Sequence, residues 1–468
     1  MTYLALTIGP IYKTLKDARK TRELWGGSYL FSYIMKEIIH GFKDRKFIVP
    51  YIQEKSLFES GNEIGLFHDR FIFKAQEGDL EKLHNHVDEV LHTLSENINV
   101  DYAFLKHYLQ ISIVEKELKE KQNPIKEMNP YLDTAELFYE VSQYEENLLT
   151  NMLQGNNSFL TKEAFGKKKP FPSLPAIAMN DIAHKVDLNT LLNDDDDIFQ
   201  NEVLKAHLKP YHKYYAIIQA DGDSMGKVID TLKVEKDFQD FSKKLFVYGK
   251  KAHEIIKSYG GETIFAGGDD LLFFAPVVSG DQTIFDLCDT ISNDFDERFS
   301  GTEATLSFGI AIRYHKYPLY EALEESRMLL REAKKGEKNS IAFSVIKHSG
   351  QKFGSIVQKS KTVLYEHFKT FSSNIHGGEE SDNFLHSLHH KIENNKHLLK
   401  QIASNEAQLQ NFFDNNFNEK EHEEYREFFK VLVSYIHASY HVSEKDTNPL
   451  DRVYATLRFI KFVQGDKA

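Results

Sequence analysis

Apolar and polar positions along the chain follow their clearest rhythm between residues 214 and 348. YYAIIQA (214–220) is a β-branched and aromatic run that stops at DGDSMG (221–226), the composition of a buried strand entering a turn. Phe238, Phe241, Leu245, Tyr248, Ile255 and Ile256 then recur at three- and four-residue steps, the face of one helix. ETIFA (262–266) and LLFFAPV (271–277) predict two strands joined by the tight GGDD link at 267–270. A second helix carries Ile284, Leu287, Cys288, Ile291 and Phe295, and ATLSFGIAIRY (304–314) is the next strand. PLYEALEESRMLLREAKK (318–335) opens with a proline where the first helical turn tolerates one, and SIAFSVI (340–346) closes the unit. The order β-α-β-β-α-β-α-β contains the ferredoxin-like split unit.

Residues 1–119 repeat this plan weakly. YLALTIGP reads as a strand, ARKTRELWGGSYLFSYIMKEII as a long helix and IGLFHDRFIFKA as a hairpin, with His68 and Asp69 where the other copy has its aspartates. Residues 120–209 are irregular, with the basic GKKKPFPSLP and the acidic NDDDD, and read as a mostly helical connector. The active unit spans 210–350. From about Gly354 the pattern is almost all helical, so 351–468 is expected to be a separate helical domain. The fold class is therefore α+β, with two ferredoxin-like domains, a helical connector and a helical C-terminal domain.

Composition narrows the function. The 468 residues suffice for several domains, and 41% hydrophobic with 27% charged residues is ordinary for a globular protein. Cys288 is the single cysteine, which excludes a disulfide framework and every multi-cysteine zinc module and suits a reducing, cytoplasmic setting. No segment reaches the roughly 20 apolar residues of a membrane span, and the N-terminus lacks the apolar run of a signal peptide. A net charge of −12 opposes unaided binding to nucleic-acid phosphates, so any nucleic acid is expected to be held partly by partner chains.

The chemistry lies where two stretches meet. Asp221 ends a buried strand, and the GGDD turn joins the next two strands of the same unit. In a split βαββαβ sheet these strands are neighbours, so Asp221, Asp223 and Asp269 are expected to converge. Two unit charges about 4 Å apart repel by roughly 4 kcal/mol at an effective dielectric of about 20. A hard divalent cation, Mg²⁺ or Mn²⁺, removes that cost, and it works with one or two carboxylates plus substrate phosphates. Gly267 and Gly268 permit the tight turn and close approach of a nucleotide. Ser224 and Gly226 begin a helix whose amides would face phosphate, and Asp223 is a neighbour of the same site. Lys334 and Lys335, at the end of REAKKGEKN, either reach nucleotide phosphates or complement a helix C-terminus.

Other motifs take the plainer reading. GDSMGK is one residue short of a Walker loop, and Val228 replaces its magnesium-binding hydroxyl residue. His386, His389, His390 and His397 are read as solvated or partner-facing histidines, Asp194 to Asp197 as a solvated loop, and the His68-Asp69 dipeptide as structural.

At TIGPIYKTLKDARKTRELWGGSYLFSYIM, GLFHDRFIF, FPSLPAIA, ADGDSMGKVI, GGETIFAGGDDLLFFAPV and YHKYPLYEALEESRMLLREAKKGEKNSIAF, the chain resembles the polymerase-cyclase large subunit of type III CRISPR effector complexes, in its subtype B form. The resemblance implies two palm domains, the second of them active, with metal at Asp221, Gly222, Asp269 and Asp270 and ATP as substrate. It implies metal-dependent nucleotidyl transfer that builds a cyclic oligoadenylate second messenger for antiviral defence once target RNA is bound. The first palm would supply the acceptor pocket through Gly26, Gly27 and Ser28. Two alternatives stay open: transfer of AMP to S-adenosylmethionine as co-substrate, and a scaffold with a vestigial palm. Implied partners are the other subunits of the complex, with guide RNA and target RNA held mostly through them. Many members begin with a histidine-aspartate nuclease domain and carry a four-cysteine zinc site. Neither is expected here, so single-stranded DNA cleavage is expected to be absent.

Overall fold

The computed structural model describes residues 1–137, 148, 152, 159–165, 171–182, 207–373, 379–417, 425–442 and 449–464. Asp194 to Asp197 lie outside these residues.

The first unit runs β1 (Thr2–Gly9), α1 (Ile11–Lys16), α2 (Thr21–His40), β2 (Lys46–Val49), β3 (Arg70–Lys74), α3 (Asp79–Ile98), α4 (Tyr102–Tyr108), β4 (Gln110–Glu117) and α5 (Pro124–Leu137). Its sheet has the order β2-β3-β1-β4, antiparallel throughout, as the split βαββαβ plan requires. The expected hairpin inside 64–75 is not there: β3 pairs with the more distant β2, and a loop with one 3₁₀ turn separates them. His68 and Asp69 still stand directly before β3. Leu4, Ala5, Leu6, Thr7 and Ile8 are buried without alternation, because layers cover both faces of β1. One of these layers is α5, which lies on β1 and β4; this helix, expected within a connector, is part of the first unit. Two short helices of the former connector follow, α6 (Phe159–Phe165) and α7 (Leu174–Ala178).

The second unit runs β5 (Tyr214–Asp223), α8 (Met225–Thr231), α9 (Glu235–Tyr259), β6 (Glu262–Gly267), β7 (Asp270–Pro276), the small β8 and β9 pair (Val278–Ser279, Gln282–Thr283), α10 (Ile284–Arg298), β10 (Thr305–Tyr314), α11 (Leu319–Ala333), β11 (Ser340–Ile346) and β12 (Lys352–Gln358). The sheet order β12-β11-β10-β5-β7-β6 contains the arrangement of the first unit, extended by β11 parallel to β10 and by an edge strand. That edge strand corrects the reading of an almost wholly helical pattern from Gly354. Only Phe353 and Val357 of KFGSIVQ are buried, too few for an alternation to show in the sequence.

The two units pack reciprocally: α2 lies against β6, and α9 lies against β2. At the centre of this interface Gly65 and Phe265 form an isolated bridge, and the Ala266 amide donates to the Gly65 carbonyl at 3.3 Å.

The C-terminal helices α12 (Thr362–Ser372), α13 (Glu379–Asn394), α14 (Lys396–Ile402), α15 (Glu406–Asn416), α16 (Arg426–Val442) and α17 (Pro449–Gln464) share a core with the second unit. Phe285 of α10 meets Phe368 at 4.9 Å and Phe459 at 4.8 Å between ring centroids, and Tyr214 meets Phe462 at 4.9 Å. The expected separate helical domain is thus joined to the second sheet by aromatic packing.

Candidate active site

Strand β5 carries the first carboxylates to the edge of the second sheet. Its pairing with β10 sets Asp221 opposite Ser307 and Asp223 opposite Thr305. Its pairing with β7 ends at Ala220 and Leu271, so Asp221 and Asp270 stand one step beyond. Asp269 belongs to the turn between β6 and β7. A Cβ added to Gly222 would stand 2.5 Å from Asp269 Oδ2 and 2.8 Å from Met225, so only glycine lets the two acidic stretches approach this closely.

Burial and the charge of Asp221 push the Asp269 carboxyl up to about 7. Asp270 faces the water of a cleft but is deeply surrounded by protein; burial and the charge of Asp269 push it well above the usual carboxylate range.

Asp223 is tied down by partners of its own. It is 1% exposed, and its Oδ2 accepts from Thr305 Oγ1 (2.9 Å), Ser307 Oγ (2.8 Å) and the Asn339 amide (2.9 Å). This corrects the expected convergence in part: Asp223 shares a face of β5 with Asp221 and its Oδ1 stands 4.0 Å from the Lys334 ammonium, but its Oδ2 is taken by the hydroxyls of β10. Among the described residues no group of three His, Cys, Asp or Glu side chains is placed to hold a metal ion.

Lys334, at the end of α11, reaches the site: its Nζ donates to Asp221 Oδ2 and, at 2.9 Å, to the Gly222 carbonyl. A cation of the chain thus rests on two oxygens that point to one place, with the Asp269 carboxylate packed against Gly222 beside them. Two carboxylates and a backbone carbonyl are hard oxygen donors, a set that fits Mg²⁺ or Mn²⁺ completed by substrate phosphates. Lys335 points elsewhere and pairs with Glu332 at 2.6 Å, largely exposed.

Ser224 has a left-handed φ of 59° at the start of the seven-residue α8, and the position of Gly226 opens onto free space. Gly268 has φ of 67°, and a Cβ there would stand 2.3 Å from the His68 ring. The GGDD turn therefore presses on the corresponding turn of the first unit. His68 is held neutral, its pKa lowered to about 4 by burial.

Between the units lies a cavity of about 510 Å³, within the range of nucleotide-sized sites. Asp270, Gln219 and Phe265 line it from the second unit; Ser28, Asp69 and Glu136 line it from the first. Asp221 and Asp269 are not among its walls, so the cavity adjoins the carboxylates at Asp270. Ser28 lines the cavity, whereas Gly26 and Gly27 are buried in α2 and do not.

Sequence reading missed Asp69 and Glu136 as cavity residues. The signal available was the position of His68-Asp69 ahead of β3, matching Gly268-Asp269 ahead of β7. Burial pushes Asp69 upward, opposed by Arg70. Glu136 accepts from Thr7 Oγ1 at 2.7 Å and pairs with Arg70 at 2.6 Å.

The histidines of α13 and α14 form no metal site. His386 Nδ1 contacts Lys461 Nζ at 2.9 Å, and His389 packs on Tyr454 with its pKa lowered to about 4, first by burial and then by Arg458. Among the described residues no helix is long and apolar enough to cross a membrane.

The family model of the Cas10/Cmr2 second palm domain matches residues 214–342, and that of the N-terminal region of the CRISPR-associated protein Cmr2 matches residues 3–110. The CRISPR system Cmr subunit Cmr2 of Pyrococcus furiosus is 29% identical over 172 residues, a match that spans 31% of this chain and 20% of that relative. Among solved structures, a type III-B Cmr-beta complex bound to cognate target RNA gives a TM-score of 0.60 at 12% identity, covering 99% of this chain and 83% of that one. A Csm1–Csm4 cassette in complex with cA4 gives 0.54 at 13% identity, covering 99% and 70%. Such identities speak for the fold, and the two palm units and the turn between β6 and β7 agree with it. The chain belongs to the Cas10/Cmr2 family.

Proposed function

We propose that the chain is the nucleotidyltransferase subunit of an RNA-guided type III CRISPR effector complex and joins adenylate units from ATP into a cyclic oligoadenylate messenger when target RNA is bound. The observation that carries this reading is the close approach of the Asp269 carboxylate to Gly222, next to Asp221 and beside a cavity walled by both palms. Fold relatives support the choice of nucleotide: Csm1–Csm4 cassettes are described in complex with one ATP, with pppApA and with cA4.

Asp221, Asp269 and the Gly222 carbonyl, with Asp270 at the rim, would hold the divalent ion. Bound there, Mg²⁺ or Mn²⁺ supplies charge neutralisation for the triphosphate and acidifies the acceptor hydroxyl. Lys334 adds a second positive charge within reach of the same phosphates. The cavity orients the acceptor: Phe265 offers an aromatic face, while Ser28 and Gln219 offer hydrogen bonds. The acceptor oxygen forms a bond to the α-phosphorus as the bond to the β-phosphate bridge breaks; pyrophosphate departs and the hydroxyl proton passes to solvent. Partner subunits supply the contacts to guide and target RNA that a net charge of −12 does not favour.

A second reading changes the acceptor. The first-palm wall of the cavity carries Asp69 and Glu136, carboxylates that repel a second triphosphate and attract a cation. S-adenosylmethionine, with its sulfonium and ammonium groups, suits that wall. Incubating the assembled complex and target RNA with ATP, with and without S-adenosylmethionine, and resolving the products by mass separates the readings. Adenylates alone eliminate the conjugate; a mixed product eliminates the cyclic messenger as the main output; no product removes both.

A further inference from the structure

Lys334 occupies oxygens that the proposed divalent ion needs. Its ammonium is bound to Asp221 Oδ2 and to the Gly222 carbonyl at once, so ion and ammonium are mutually exclusive on them. When the ion enters, the side chain has to go somewhere. Its Nζ stands 4.0 Å from Asp223 Oδ1, which is buried and has no hydrogen-bond partner. The other oxygen of that carboxylate accepts three hydrogen bonds. Leaving one oxygen of a buried carboxylate bare is costly, and such groups call for an explanation.

The surroundings of Asp223 are fixed. Thr305 and Ser307 hold it from β10, and the Asn339 amide reaches it from a turn in which Lys338 and Asn339 both take left-handed φ, 60° and 44°. The mobile partner is Lys334, with its flexible four-carbon stem.

We propose that Lys334 is a built-in counter-cation that fills the Asp221–Gly222 site before the divalent ion arrives and then moves onto Asp223 Oδ1, so that Asp223 is a positioning residue acting through Lys334 and not a metal ligand. This rests on the nucleotidyl-transfer reading. The arrangement stops the site from binding metal tightly when no substrate is near, because entry of the ion must break the contacts of the ammonium.

The test is Mn²⁺ binding to the full chain without nucleotide, followed by electron paramagnetic resonance; the ion lost in Asp221→Ala reports this site. Lys334→Met is expected to bind Mn²⁺ about fivefold more tightly, and Asp223→Asn, which keeps an acceptor for β10, about fivefold more weakly. In the Lys334→Met background, Asp223→Asn is expected to change the affinity by less than about twofold, since the cycle isolates the pairwise effect. Unchanged or weaker binding by Lys334→Met overturns the inference, as does an equal loss from Asp223→Asn in both backgrounds. Should Asp223→Asn fail to fold, the Lys334→Met result decides alone. If the wild type binds no Mn²⁺ at this site, the nucleotidyl-transfer reading itself falls, an outcome distinct from normal Mn²⁺ binding that ignores Lys334.

Discussion

The first palm sets Thr7, Asp69 and Arg70 where the second sets Asp221, Asp269 and Asp270. Strand register fixes this correspondence: Thr7 faces Ser112 on one side and Arg70 on the other, while Asp221 faces Ser307 and stands across from the start of β7. The difference is one of charge. In the first palm Arg70 is a resident cation that ties Glu136 and Asp133 together at 2.6 and 2.7 Å. In the second palm the arginine position is a third carboxylate, and the single lysine at the site comes from α11. One copy carries its cation on the strand itself; the other has none there and draws its cation from the end of a helix. The same strand positions thus carry opposite charge in two units of one plan.

The largest test of this contrast is Asp269→Ala with Asp270→Ala. ATP turnover by the assembled complex is expected to fall at least 10²- to 10³-fold, roughly the loss seen when a key electrostatic group is removed. The melting temperature should hardly move, because relieving repulsion offsets lost turn contacts. Undiminished turnover would make the second palm as inert as the first and leave the scaffold reading standing.

Gly268→Val strikes the contact between the two turns. A β-branched residue at φ of 67° facing the His68 ring is expected to cost about 2 kcal/mol, read by denaturant unfolding. Adding His68→Ala should recover part of that loss, whereas no recovery would mean that backbone strain alone is responsible.

Arg70→Ala probes the cation of the first palm. Glu136 and Asp133 are 39% and 64% exposed, so solvent screens the network and the expected loss is only about 1 kcal/mol.

The pH dependence sharpens the comparison further. Asp269 titrates near 7 in the folded chain, above the ordinary value of 3.8, so the folded state binds the extra proton. Its contribution is fully present below the unfolded pKa and is lost as pH rises through about 7. Asp269→Asn should therefore gain stability over the wild type as pH is raised from about 6 to about 8, and Mg²⁺ should stabilise the wild type more at the higher pH. A gain that does not depend on pH would place the titration elsewhere. The smallest expected effect is that of Lys335→Ala, whose side chain is engaged with Glu332: under about twofold on turnover, against a much larger loss for Lys334→Ala.

The parts of the molecule legible in the sequence are those whose pattern is local. YYAIIQA and LLFFAPV are continuous apolar runs because both faces of β5 and β7 are covered, and the GGDD turn follows from their adjacency. The hold of β10 on Asp223 is not legible, because Thr305 and Ser307 lie more than 80 residues away and meet it only through register. Asp69 and Glu136 become cavity residues by the packing of two units and of α5, which no periodicity encodes. Edge strand β12 escaped because two buried positions in seven residues do not make a pattern.

That strand has an outer edge, and a helix attends to it. Arg452 of α17 donates its Nε–H to the Ile356 carbonyl at 3.0 Å. Exposed strand edges recruit strands from other molecules, so the guanidinium blocks edge-to-edge association of this sheet. A chain shortened before Pro449 would lose this guard together with the apolar cover of Phe459 and Phe462, and its failure would show first as insoluble assembly, ahead of any change in chemistry.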